Sequence, residues 1–256
     1  MLAGLLAWAA PADAHVHSGV VATSWRATVS PLAVPGVRAS VDASDLALRV
    51  TAAPGHRVVV PGPSTHTVEG TTATWHDPRI RPRAGAFAVP LVVDGRRSTL
   101  RGDVRHVAPP AWWPWLLLAA PFMVALVVAL RRDDATWPLR FAVVAGVATA
   151  LAALGFAADR YASAGTLVES ANETLIAVAC IVVGIRVPRA RFAIAGALGT
   201  LALFLGATKA PVLGRGIVFS AFGATPTRAL VVIALASGLA AVVLATWHFL
   251  QAADAP

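Results

Sequence analysis

Two histidines stand together at His15-Val16-His17. If the chain is cleaved after Ala14, His15 becomes the first residue, and its amine and imidazole chelate one Cu(II). In a second arrangement His17 takes third position, and amine, intervening amides and imidazole close a square plane. Nitrogen-rich planar coordination is what Cu(II) favours. The structural alternative is a polar, frayed terminal tail. A second cluster is Trp75-His76-Asp77-Pro78-Arg79, where His76 and Asp77 are candidate metal ligands. The same residues also read as a turn closed by an Asp77–Arg79 salt bridge. His56, His66 and His106 are scattered, so any site using them must be assembled by the fold.

A third group lies in an apolar run. Glu169, Asn172 and Glu173 place two carboxylates at i, i+4 on one helix face, a pattern that can bind a cation or relay protons inside a membrane. Glu173 and Asn172 would then serve a small transporter. Against this, Thr166-Leu167-Val168-Glu169 reads as a capping box, which satisfies free amides at a helix start, where acidic residues are favoured. Lys209 and His248 lie near the ends of apolar runs and are expected to snorkel to the interface. The chain has no nucleophile elbow, phosphate loop, zinc-hydrolase motif or dinucleotide fingerprint, so it is read as not an enzyme. Its only methionines are Met1 and Met123, which excludes a methionine-lined Cu(I) path.

The elements that must position these residues follow from composition. The 256 residues are 57% hydrophobic and 13% charged, with mean hydropathy +0.69. Soluble domains carry roughly 25% charged residues, so the chain reads as a membrane protein. The long apolar runs fall after residue 110, leaving a polar front half. Net charge is +8, but the arginines cluster at the ends of apolar runs or scatter without interleaved aromatics, which argues against nucleic acid.

Residues 2–10 are apolar and lead to Ala12-Asp13-Ala14, a small-x-small cleavage pattern, so 1–14 are expected to be a signal peptide. Nine apolar residues are too few to cross a core of about 30 Å. From 15 to 108, seven short Val- and Thr-rich segments are expected to be strands, separated by Pro, Gly and Ser. They are Trp25–Leu32, Val37–Val41, Leu46–Ala52, Arg57–Val60, Thr67–Trp75, Phe87–Val93 and Thr99–Val107. Asp94-Gly95 is the preferred chemistry for a tight hairpin turn. The expected fold is an all-β immunoglobulin-like sandwich with Trp25 and Trp75 as bulky core residues. The only cysteine, Cys180, excludes an intramolecular disulfide.

APPAWWPW at 108–115 is a stiff junction whose tryptophans suit a membrane surface. An α-helical multi-pass transmembrane domain is expected over 109–250, with five spans at about 113–130, 138–157, 168–186, 191–208 and 228–249. The intervening 210–227 segment reads as an interfacial or re-entrant loop, and 251–256 as a cytoplasmic tail. Arg131, Arg132, Arg186, Arg189 and Arg191 mark the cytoplasmic side, leaving the front domain extracytoplasmic.

Several stretches together resemble a family of uncharacterised actinobacterial membrane proteins. They are AHVHSG at 14–19, TSWRATVSPLAVPGVRASV at 23–41, LALRVTA at 46–52, RVVVPG at 57–62, WHDPRI at 75–80, VDGRRSTLRGDV at 93–104 and the junction. The family pattern is similar to AHVGGG, VSPPVPGL, VVVLGY and WHDHR, followed by a Pro/Trp-rich entry into several spans. This chain lacks the EPYLR-like element between Gly62 and Thr74, and Pro78 replaces the second histidine of WHDHR. The resemblance implies architecture: an exported β domain on membrane helices. A His-first exported β domain is also similar to copper carriers of the CopC type, an analogy of fold. The expected roles are envelope copper handling, assembly with another envelope protein, or transport, with the lipid bilayer as a partner in each.

Overall fold

The computed structural model describes residues 21–253, except 133, 160, 161, 163, 188 and 189, and except the side chains of 252 and 253. The expected signal peptide, His15 and His17 lie outside the described residues. The chain divides into two units, Met1–Val107 and Ala108–Pro256.

The first unit is a β-sheet region. After a two-residue strand, β1 (Ala22–Thr23), come β2 (Trp25–Val29), β3 (Val37–Val41), β4 (Leu48–Ala52), β5 (Arg57–Val60) and β6 (His66–Glu69). β7 (Thr72–Trp75), β8 (Gly85–Val93) and β9 (Arg96–His106) complete it. A five-stranded antiparallel sheet runs β2-β9-β8-β5-β6 and a three-stranded one β3-β4-β7. The alternation of buried and more exposed positions along β4 and β8 is what one buried sheet face requires. Both sheets feed one apolar cluster built on Leu48, Val50, Val58, Val89, Leu91 and Leu100. Trp25 and Trp75 pack against its rim, half-buried, rather than filling its centre. The expected Thr67–Trp75 strand is two strands in two sheets, broken at Gly70, whose φ is +58°. The Asp94-Gly95 turn forms as expected, with φ of +50° and +80°, the double positive φ of a type I′ hairpin.

The second unit is helical: α1 (Trp113–Arg132), α2 (Trp137–Ala157), α3 (Ala164–Arg186), α4 (Arg191–Lys209), the short α5 (Pro211–Gly214) and α6 (Ala224–Ala253), with a two-residue strand β10 (Ile217–Val218) before α6. Among the described residues five helices are long and apolar enough to cross a bilayer, so this is a multi-pass membrane protein. α2 and α6 form the centre. They bury alanines (Ala142, Ala145 and Ala152 on α2, Ala240 and Ala241 on α6), small residues that let helices approach closely without a hydrophobic driving force. Segment 210–227 is not a plain loop. It contains α5, and it bonds back onto α2 through Ala221 N–H donating to the Gly155 carbonyl at 2.9 Å.

Candidate functional site

In the β unit, the turn after β7 is built on Asp77. Pro78 supplies the fixed φ of the turn, and Ile80 N–H closes it on the Asp77 carbonyl at 2.9 Å. The Asp77 side chain is 2% exposed. It accepts hydrogen bonds from Arg79 N–H (3.0 Å), Nε (2.7 Å) and Nη2 (2.6 Å). Burial alone raises the pKa of this carboxyl, but the Arg79 side-chain and backbone bonds and the guanidinium charge outweigh it and hold it below its ordinary value. His76 turns elsewhere, its Nε2 lying 3.2 Å from Asp45 Oδ2. His66 stacks on Trp75 at 4.4 Å, His56 Nδ1 meets Asp94 at 2.8 Å, and His106 packs edge-on to Trp25. His76 and Asp77 are therefore adjacent in sequence but engaged with separate partners. Among the described residues no group of three metal-ligating side chains assembles.

The helical unit holds the more built arrangement. Lys209, at the end of α4, places Nζ on Glu173 Oε2 of α3. Both side chains are more than nine-tenths buried. Among the described residues Glu173 Oε1 has no hydrogen-bond partner, while the ammonium lies 5.9 Å from the centre of the Phe156 ring on α2. Lys209 is the only lysine among the chain's 21 cationic residues. Asn172, expected beside Glu173, is exposed: a residue one step round an α-helix is rotated by about 100°. The capping box is also displaced, because α3 starts at Ala164 and Thr166 lies inside its first turn.

Near the same end of the unit, Arg228 of α6 is buried. Its Nε donates to the Val212 carbonyl at 2.8 Å, and Nη2 to those of Arg215 at 2.7 Å and Gly216 at 3.4 Å. Thr227 Oγ1 bonds Ser220 Oγ at 2.7 Å and the Gly223 carbonyl at 2.7 Å. One guanidinium thus ties the α5–β10 segment to the start of α6. His248, like Lys209, is buried rather than snorkelled, and it stacks on Phe192 at 5.2 Å.

The chain matches no protein-family model, no curated protein and no solved structure.

The carboxylates of Glu169 and Glu173 in an apolar run are the sequence signal for Glu173. Nothing local points to its partner, 36 residues away, except that Lys209 is a singular lysine in an arginine-rich chain.

Proposed function

We propose that the chain is a non-catalytic envelope membrane protein: an exported β unit whose basic face binds an acidic surface of another envelope protein, carried on a five-helix membrane unit. The supporting observation is the outward face of the five-stranded sheet. On β9, Leu100 and Val104 turn into the core while Arg97 and Arg101 are exposed. In the register Arg97 stands beside Val92 and Arg101 beside Ala88 of β8. Neither arginine has an ion pair among the described residues, whereas neighbouring Arg105 is held by Asp103 at 2.6 Å. Unspent guanidinium forks suit carboxylates.

The immunoglobulin-like reading is kept at the level of two antiparallel sheets over one core. The first long strand pairs with the last here, β2 with β9, which departs from the usual strand order of that fold. The export side follows from the arginines. Arg131, Arg132, Arg140, Arg186 and Arg191 sit at the ends of α1 to α4 that share one side, and short basic loops stay cytoplasmic. Two cations of the opposite end, Lys209 and Arg228, are buried and weigh less in that balance. Membership of the actinobacterial family rests on the residues quoted above. Copper handling rests on His15 and His17, with His76 and Asp77 as further candidates.

Crosslinking of the full chain in membranes tests the binding role. An acidic envelope protein captured by the chain, and lost on Arg97→Glu with Arg101→Glu, supports it; unchanged capture rejects it. Titration of processed chain with Cu(II) tests the copper part, which fails if His15→Ala with His17→Ala binds equally well.

A second reading is favoured by one observation, the buried Glu173–Lys209 pair with an unbonded carboxylate oxygen. An acid and a base buried together between membrane helices are the side chains a proton relay uses, so the pair suits a small transporter. Proton flux into proteoliposomes that Glu173→Gln abolishes supports it.

A further inference from the structure

The middle of α1 and the first two turns of α2 frame a groove of about 250 Å³, lined by Pro121, Phe122, Ala125, Trp137, Phe141 and Val144, with Arg140 as its only charged wall. We infer that this groove holds one anionic phospholipid, its acyl chain on the aromatic wall and its phosphate on Arg140. This rests on the membrane reading of the helical unit and on no particular role for the β unit.

Four observations carry it. First, the lining is apolar apart from the single cation, which is the polarity of an amphiphile with a negative head. Second, Arg140 lies only three residues into α2, about one turn from the helix start, close enough to a span end for its long side chain to reach the head-group level. Its guanidinium carbon lies 5.4 Å from the Trp137 ring centre, which fixes it over the groove. Third, the guanidinium is unspent. Asp134 feels the charge of both Arg140 and Arg191, yet among the described residues it closes an ion pair with neither. Fourth, Arg140 also borders a second groove with Leu139, Val143 and Arg191, so a second cation lies on the same side of the helical unit. A guanidinium fork matches phosphate oxygens; the choline ammonium of a zwitterionic head offsets that attraction, whereas an anionic head keeps its net charge for the basic pocket between the membrane helices. Pro121 contributes by chemistry: it has no N–H to give the preceding turn, and its ring forms part of the groove wall.

The test uses the full chain in detergent micelles, with phosphatidylglycerol or phosphatidylcholine of identical chains added, read by native mass spectrometry. One phosphatidylglycerol is expected to be retained per chain in preference to phosphatidylcholine. Arg140→Gln should weaken phosphatidylglycerol retention about fivefold, the factor that one cation near a membrane surface is worth. Ala125→Trp, which fills the groove and leaves the charge, should also abolish retention. Arg140→Lys keeps the charge without the fork and should fall between. Helix content by circular dichroism confirms that each variant is folded. Equal retention of both lipids, unchanged retention in Arg140→Gln or Ala125→Trp, or dimers in place of the lipid adduct would each overturn the inference.

Discussion

The chain's one lysine, Lys209, donates to Glu173 Oε2 across the α3–α4 boundary, while the other carboxylate oxygen is buried without a partner among the described residues. Removing a single member of such a pair leaves an uncompensated charge in an apolar interior, whereas removing both leaves none.

Glu173→Gln and Lys209→Met are therefore each expected to lower stability by about 3–5 kcal/mol, while the double variant is expected to lie closer to the parent than either single one. Thermal unfolding in detergent measures this. A double variant as unstable as the sum of the two would show that the pair is not coupled.

The small-residue contact between α4 and α6 is equally specific. A side chain at Gly199 would meet the Gly238 carbonyl at 2.9 Å, and one at Gly238 would meet the Gly199 carbonyl at 3.0 Å. Gly199→Leu should cost at least the 1–3 kcal/mol, roughly, of an overpacked core. Gly196→Ala, whose new methyl would lie 3.6 Å from Ala245, should be tolerated. Melting temperatures of the two variants separate these outcomes.

Much of this architecture was legible in the sequence. Val37–Val41 and Arg57–Val60 fall at their expected bounds, because valine-rich alternation between turn residues leaves few other solutions. The spans also fall close to expectation. The Trp137–Ala157 helix begins one residue early, at a Trp-Pro start. What was illegible is pairing at a distance. Thr67–Trp75 reads as one strand because local pattern carries no record of which sheet a segment joins. Lys209 and Arg228 sit near span ends, where a long cationic side chain normally reaches water. Only the fold shows that one meets a carboxylate and the other three carbonyls. His76 and Asp77 show the converse, adjacent in sequence and committed to different partners.

Asp77 gives the β unit an acid limb. Its carboxyl is held below its ordinary pKa by Arg79, so its contribution is complete above the normal carboxylate range and is lost as pH falls through the lowered folded value. Asp77→Asn is expected to cost about 1–3 kcal/mol near neutrality. The gap between parent and variant should shrink below about pH 4. Urea unfolding of the 21–107 fragment across pH checks this. A gap that persists at pH 2 would assign Asp77 no such role.

Arg228 makes a separate prediction for the α5–β10 segment. Replacing it by Met leaves the carbonyls of Val212 and Arg215 without this donor. Hydrogen exchange over 212–218 should accelerate while that of α2 holds. Unchanged exchange over 212–218 would mean that the guanidinium does not anchor the segment.

The most direct measurement is the side of the membrane on which each unit stands. In a Cys180→Ala background, single cysteines at Ser98 on β9 and at Ala135 between α1 and α2 would be treated with an impermeant maleimide on intact cells. The exported arrangement predicts labelling at Ser98→Cys and none at Ala135→Cys until the cells are lysed. Labelling of Ala135→Cys on intact cells, with Ser98→Cys protected, would contradict it.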